Sequence, residues 1–171
     1  MKIKFARFNI YLCLSLGLMW LGAGCQSDKK KDVTTLELHL EVNKDGSEDN
    51  VTVPIFRDHP IFVNMDKEFF LDGVDVSEAK VVDDLGGFKI RLQFNWRGTL
   101  VLDSATTANV GKRVGVVCHF GQTRWVAAPV IRKQIADGVF EFTPDASREE
   151  AEKIVKGLND VAADLKKKDK F

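Results

Sequence analysis

The sequence FKIRLQF, residues 88–94, runs directly into NWRGTLVLDSATTAN, residues 95–109, and these two segments indicate the fold class. In the first segment apolar and polar side chains alternate, which is typical of a strand with one buried face. In the second, Asn95 is a suitable N-cap for a helix over 96–109. A strand that leads directly into a helix predicts a domain that mixes α and β structure.

Apolar residues recur at strand spacing on both sides of this unit. Upstream, a strand over 76–82 is joined to it by Gly86-Gly87, a pair typical of a hairpin turn. Downstream, strands over 113–120 and 124–131 enclose a polar turn and predict a second hairpin, and 139–142 is a further short strand.

The last element is an amphipathic helix. Ser147 and Glu150 have the spacing of a capping box, and Lys166 to Lys168 suit the helix C-terminus. One helical face carries Ala151, Ile154, Val155, Leu158, Val161, Ala162 and Leu165. The order of strands, helix, strands and helix predicts an α+β fold in which two helices pack on one face of an antiparallel sheet.

Two more strands precede this domain, at 36–42 and 51–55, with a turn-rich loop between them. We expect these strands to pair, so that residues 35–58 form an N-terminal β-hairpin and residues 59–168 form the α+β domain. His39 lies on the polar side of the first strand and is predicted to be solvated. The acidic spacing of the loop differs from that of an EF-hand, which favours a turn over a calcium site.

Residues 1–24 have the parts of a secretory signal peptide. Lys2, Lys4 and Arg7 form a basic start, and the apolar run over 10–24 is shorter than the roughly 20 residues that span a bilayer. The signal contains three of the 25 basic residues and none of the 25 acidic ones, so its removal leaves a mildly acidic chain. Such a chain, without a basic stripe interleaved with aromatic residues, argues against a nucleic-acid partner.

The signal closes on LGAGC, residues 21–25, which resembles the lipobox of bacterial lipoproteins, although Gly22 stands where leucine is more frequent. The resemblance implies cleavage before Cys25, a lipid on the Cys25 sulfur and a tether over 25–34. The alternative is an ordinary signal peptide in which Cys25 is incidental. Because no Asp follows Cys25, the expected location is the periplasmic face of the outer membrane.

Cysteine chemistry and catalysis find little support in the sequence. Cys118, in an apolar strand, is expected to be a buried core residue. Motifs of zinc proteases, serine hydrolases and P-loop enzymes are absent, and neither a metal nor a cofactor is predicted. A triad of His119, Ser104 and a carboxylate is conceivable, so an unrecognised hydrolase is the least favoured alternative. The pairs Asp83-Asp84 and Glu149-Glu150 are interpreted as a turn and a helix N-terminus.

Residues 60–158 resemble the head subdomain of the first periplasmic domain of SecD, an accessory subunit of the Sec translocase. Five segments carry the resemblance in the order of the family: Val74–Ala79, Phe88–Phe94 with Arg97-Gly98, Thr106–Arg113, Ala127–Ile131, and Phe142-Thr143 with Glu149–Ala151. The chain departs from the family at His119–Thr123, at a shortened Asp137-Gly138, and in having no transmembrane helices after the domain.

The resemblance implies a non-catalytic accessory module of protein export that contacts exported polypeptide. The proton-driven movement of SecD relies on membrane helices and is not carried over. An exposed sheet edge is a suitable surface for an extended chain, and Trp125 and Trp96 are candidate contact residues, with core packing as the alternative for each. A second hypothesis is a structural lipoprotein that packs on a larger envelope complex.

Overall fold

A computed structural model of the chain describes residues 33–44 and 46–168. The predicted signal peptide 1–24, the lipid attachment residue Cys25 and most of the predicted tether 25–34 lie outside the described residues, as does Asp45. The described part therefore covers the globular domain that the sequence predicts.

This part of the chain contains eight strands and two α-helices, which confirms the α+β class. The strands are β1 (Thr35–Glu41), β2 (Asn50–Ile55), β3 (Ile61–Asp72), β4 (Val76–Asp84), β5 (Gly87–Phe94), β6 (Val114–His119), β7 (Thr123–Ala127) and β8 (Val139–Phe142). The helices are α1 (Trp96–Ala108) and α2 (Arg148–Lys168), and a 3₁₀ turn, Gly73–Asp75, joins β3 to β4.

The strands pair antiparallel throughout, as predicted, but they form two sheets. One has five strands in the order β2-β3-β1-β6-β7, and the other has three in the order β4-β5-β8. The 3₁₀ turn ends β3 and lets the chain begin the second sheet at Val76. Helix α2 packs mainly against β4, and α1 packs against β3 and β5.

The predicted N-terminal β-hairpin over 35–58 is wrong, because β3 lies between β1 and β2. The first half of β3 pairs with β2, from Ile55↔Ile61 to Asn50↔Asp66, and its second half pairs with β1. A 12-residue strand is long enough to serve both neighbours. The turn-rich segment between β1 and β2 is long enough to cross the extra strand spacing of about 5 Å.

The predicted solvation of His39 is also wrong, since this residue is only 6% exposed. Its strand is central in the five-stranded sheet and is covered on both faces. The imidazole ring lies 5.0 Å from the Trp125 ring and 6.3 Å from the Phe69 ring, between centroids. Nδ1 lies 2.8 Å from the Asp66 carbonyl oxygen, so the buried ring has a hydrogen-bond partner.

Two hydrophobic cores hold the sheets and helices together. The larger core joins α2 and α1 to strands of both sheets, and it includes Cys118, which confirms the prediction that this residue is buried. The smaller core lies beside β2 and β3 and consists of Val53, Ile55, Val63, Met65 and Ala128, with Val51, Ile61 and Trp125 packed against it.

Both predicted helix starts are confirmed. The Asn95 side chain accepts a hydrogen bond from the Gly98 N–H at 2.8 Å. At the start of α2, the Ser147 N–H donates to Glu150 Oε2 at 2.8 Å and the Glu150 N–H donates to Ser147 Oγ at 3.2 Å. This reciprocal pair is the capping box, and it satisfies backbone donors that a helix end leaves without partners.

Helix α2 is also held tightly where the chain enters the domain. Its buried face carries Ala151, Ile154, Leu158 and Ala162, as the helical pattern predicts. On a neighbouring flank, Gly157 lies directly against Thr34, which is only 6% exposed. A Cβ atom at position 157 would overlap the Oγ1 and Cβ atoms of Thr34.

Replacement of Glu150 by glutamine should make stability less dependent on pH. The Ser147 N–H holds the pKa of the Glu150 carboxyl below its ordinary value, and the Arg124 and Arg57 cations act in the same direction. Because the folded-state pKa is depressed, the stabilisation by this carboxylate is complete above the unfolded-state pKa and is lost as the pH falls through the folded-state pKa.

We therefore expect Glu150→Gln to lower the free energy of unfolding by about 1 kcal/mol at neutral pH, the usual scale of a lost cap. The difference from the native chain should shrink as the pH is lowered below about 4. Urea unfolding at a series of pH values measures this. A difference that stays constant from neutral to acid pH would contradict the prediction.

Replacement of Gly157 by alanine should destabilise the domain, although the same change in an open helix interior stabilises by about 1 kcal/mol. The reason is the overlap with Thr34, whose Cβ atom cannot rotate away. Thermal unfolding should show a lower midpoint for Gly157→Ala. The double variant Gly157→Ala with Thr34→Gly should recover much of the loss, and a single variant that is more stable than the native chain would refute this packing.

Candidate functional site

The outer strand β4 of the three-stranded sheet is held by a side chain that takes the place of a neighbouring strand. Asn159 of α2 accepts a hydrogen bond from the Ala79 N–H through Oδ1 at 2.8 Å. Its Nδ2 donates to the Ala79 carbonyl oxygen at 2.9 Å. One carboxamide therefore satisfies both backbone groups of Ala79, in the pattern of an antiparallel hydrogen-bonded residue pair.

The register of β4 on β5 determines which other backbone groups point the same way. Ala79 lies opposite Leu92, Val81 opposite Ile90 and Asp83 opposite Phe88. In an antiparallel pair, hydrogen-bonded and non-hydrogen-bonded positions alternate, so Val81 and Asp83 turn their N–H and C=O groups away from β5, as Ala79 does. Within the described residues, no hydrogen-bond partner meets these outward groups.

A groove of about 510 Å³ lies along this edge, between β4 and α2. Val81 and Val155 give it an apolar centre. Lys80, Lys156 and Glu152 lie at its rim, so the charges of the two signs are mixed. The groove can therefore accommodate an uncharged peptide backbone and a small apolar side chain.

On β4 the groove is lined from Ala79 to Val81, and contacts of α2 lie at both ends of the outward stretch from Ala79 to Asp83. At one end stands the carboxamide of Asn159. Towards the other end, Arg148 forms an ion pair with Asp83 and lies over the Phe88 ring, 5.2 Å from the ring centroid. The stretch of β4 whose outward backbone groups have no partner in the described part of the chain thus begins after Ala79, which is bonded to Asn159. It ends at Asp83, whose side chain is paired with Arg148.

The other strand edges offer less free backbone. In the edge strand β2, Pro54 has no N–H to donate, a common protection of sheet edges. In β7, the Val126 carbonyl oxygen accepts a hydrogen bond from the Asp145 N–H at 2.6 Å. In β8, the Val139 N–H donates to Asp137 Oδ1 at 3.0 Å.

A second groove, of about 920 Å³, runs beside β8 and is rich in basic residues. Two of its cations are already paired, because Lys89 lies 2.7 Å from Asp84 and Arg91 lies 2.5 Å from Glu141. The hydrogen bond with Asp84 raises the pKa of Lys89. This groove has a short strand and paired charges, so we regard the edge of β4 as the better candidate site.

The predicted contact residues lie outside the groove beside β4. Trp125 is partly buried against the smaller core, where Gly115 leaves room for its ring. Trp96 is 79% exposed in the first turn of α1. The structure does not bring the two tryptophans into contact with each other, and only Trp96 is largely free on the surface.

The residues considered for catalysis do not form a site. His119 Nδ1 lies 2.6 Å from Thr123 Oγ1 across its own hairpin, whereas Ser104 is exposed on α1 and makes no contact with it. Burial raises the pKa of the Cys118 thiol to about 12, which makes it a poor nucleophile. Within residues 33–44 and 46–168, no three His, Cys, Asp or Glu side chains are grouped as metal ligands would be.

Sequence reasoning missed Asn159 and the edge that it controls. The available signal was an asparagine beside the apolar face of an otherwise regular helix, where this residue type is unfavourable without a hydrogen-bond partner. The position of β4 at a sheet edge could not be predicted from its own residues, because the strands that flank it are determined by the topology of the whole domain.

Comparison with known proteins identifies the domain. The sequence model of the SecDF P1 head subdomain matches residues 50–162, which includes the 60–158 segment of the sequence resemblance. A comparison with curated protein sequences gives no significant match. No helix in the described ranges is long and apolar enough to cross a membrane.

Two solved structures share the fold. The first is a membrane component SecDF that enhances protein export, with 22% identity and a TM-score of 0.54, covering 75% of this chain and 63% of that one. The second is SecDF in a super-membrane-facing form, with the same identity, TM-score and coverage of this chain, but only 19% of that chain. This chain thus spans less than two thirds of either structure, and it belongs to the SecDF P1 head subdomain family.

Proposed function

We propose that this chain is a non-catalytic, lipid-anchored accessory module of the bacterial cell envelope that binds exported polypeptide. The observation that carries the proposal is the edge of β4, where Asn159 satisfies Ala79 while the outward backbone of Val81 and Asp83 stays open. Unfolded chains present free N–H and C=O groups of the same kind. Membership of a family whose SecDF members enhance protein export supports this choice.

The lipid anchor rests on the sequence around Cys25. The segment LGAGC and the preceding signal-like residues suit cleavage before this cysteine and attachment of several acyl chains, which together anchor stably. A tether over 25–34 would keep the domain within about 35 Å of the membrane, the length of an extended chain of ten residues. We place this anchor at the periplasmic face of the outer membrane.

The exposed Trp96 is a second contact in this proposal. At 79% exposure its ring offers a large apolar surface in the first turn of α1. An aromatic side chain on the surface adds contact area at a small cost in conformational entropy. Trp125, by contrast, is partly committed to the smaller core and to the His39 ring, so it contributes mainly through packing.

Replacement of Cys25 by serine should abolish lipid attachment, because serine lacks the sulfur that forms the thioether. Cells that are fed labelled palmitate should label the native chain and the Cys13→Ser control, but not the Cys25→Ser variant. After cell fractionation, the Cys25→Ser chain should no longer be found among lipid-modified membrane proteins. Equal labelling of Cys25→Ser and the native chain would remove the lipid anchor from the proposal.

A photo-crosslinking amino acid in place of Lys156 should capture exported polypeptide in cells, because Lys156 lines the groove beside β4. The matched control is Lys153, which is exposed on the same helix and does not line the groove. We expect position 156 to capture a tagged exported protein and not a tagged cytoplasmic protein. Position 153 should capture neither.

The outcome also separates this function from that of a structural lipoprotein. Capture of one stoichiometric envelope protein at position 156, with no capture of the exported protein, would favour a structural role in a larger complex. The absence of any product from either position would contradict polypeptide binding in the groove.

A further inference from the structure

We propose that the groove beside β4 binds an extended polypeptide segment as a fourth strand of the β4-β5-β8 sheet, antiparallel to β4, with Asn159 as the stop at one end. This inference deepens the proposed function and rests on it for the identity of the ligand. The chemical class that the site recognises is the backbone of an extended chain.

The direction follows from the hydrogen bonds of Asn159. A single carboxamide meets both the N–H and the C=O of Ala79, at 2.8 and 2.9 Å. In an antiparallel ladder one residue meets both groups of its partner, whereas in a parallel ladder the two groups bond to different residues. Asn159 therefore occupies the place of a residue in an antiparallel strand, and the next places in the same ladder are opposite Val81 and Asp83.

The register follows from the spacing of these open positions. The added strand runs opposite to β4, so it passes Asp83 first and Val81 second and then meets Asn159. Two of its residues, two positions apart, form hydrogen-bonded pairs with Asp83 and Val81. A longer segment must turn away at Asn159 or displace its side chain.

The side-chain preference follows from the face on which paired residues lie. Residues directly opposite each other in a sheet project on the same side. The ligand residue opposite Val81 therefore points towards α2 and meets Val155, which favours an apolar side chain. The ligand residue opposite Asp83 lies beside the Asp83–Arg148 ion pair, which suits a polar side chain.

An extended peptide fits this edge better than a second copy of the chain. In a symmetric pairing of two β4 edges, each Asn159 carboxamide would have to be accommodated beside the other strand. The added strand of a free peptide meets only one such stop. With two hydrogen-bonded pairs available, binding should be weak and tolerant of sequence, because the backbone carries most of the contacts.

The test uses proline at two neighbouring positions of β4. The outward Val81 N–H is not part of the β4–β5 ladder, so Val81→Pro removes a donor for the ligand and leaves that ladder intact. The inward N–H of Val82, opposite Lys89, belongs to the ladder, so Val82→Pro should disrupt the sheet. Binding is measured by fluorescence anisotropy with a dye-labelled peptide of alternating valine and threonine, and the protein is the full-length lipoprotein in detergent micelles.

We expect Val81→Pro to weaken peptide binding at least tenfold. Its thermal unfolding midpoint should fall moderately, because the Val81 side chain packs against the larger core, but should stay well above that of Val82→Pro. A second variant should change the affinity for the peptide in the opposite direction. Asn159→Ala frees both backbone groups of Ala79 and should strengthen binding several-fold by adding a third pair. The thermal midpoint of Asn159→Ala should fall, because the carboxamide also fastens α2 to β4, but Leu158 and the rest of the apolar face still hold the helix. Its affinity therefore decides the result even where Val81→Pro fails to fold.

Several results would overturn the inference. One is unchanged binding to folded Val81→Pro, and another is weaker binding to Asn159→Ala than to the native chain. The third is dimerisation through the β4 edge without peptide binding, which would assign the edge to a second copy. Capture of exported protein from position 156 together with no binding of the peptide would leave polypeptide binding in place and reject strand addition. If neither capture from position 156 nor peptide binding is observed, the proposed function is rejected.

Discussion

Every backbone N–H and C=O at the side of a sheet needs a partner, and the pairing of Asn159 with Ala79 is the contact through which this domain meets that constraint at β4. The same pairing fastens α2 to the three-stranded sheet. On its other side the helix is fastened to the chain entering β1, through the close contact of Gly157 with Thr34. Between these two attachments, Leu158 is fully buried in the larger core. The position of helix α2 is thus determined by the Asn159–Ala79 hydrogen bonds, the close contact of Gly157 with Thr34 and the apolar face that carries Leu158.

This arrangement explains why the edge of β4 is partly open. A helix that covered the whole strand would need further polar side chains opposite Val81 and Asp83, to bond the backbone N–H and C=O groups of these residues. Glu152 and Val155 stand there instead, and neither provides the donor and acceptor of a carboxamide. The remaining edge therefore pairs with water unless another chain supplies a backbone. A module that handles many different sequences benefits from such a surface, since backbone contacts do not depend on the side chains of the ligand.

Local structure was predictable from the sequence because each signal depends on neighbouring residues. The Asn95 cap and the capping box of Ser147 and Glu150 are contacts within one turn of helix, and the structure confirms both. The insertion of β3 between β1 and β2 depends on residues that are distant in sequence, and the hairpin prediction failed there. The prediction for His39 failed for the same reason. The alternation in β1 implies one solvent-exposed face, but tertiary packing covers that face with Trp125 and Phe69.

The candidate site was predictable only as a type of surface, an exposed strand edge, because its location depends on the order of strands in the sheets. Geometry within α2 then relates this site to the rest of the chain. Residues 157 and 159 are two positions apart on a helix with 3.6 residues per turn, so they lie on nearly opposite flanks of the helix, about 200° apart around its axis. Thr34 packs at position 157, and the groove begins at Asn159. The chain therefore enters the domain on the flank of α2 opposite to the groove, and Thr34 leaves the open edge of β4 uncovered.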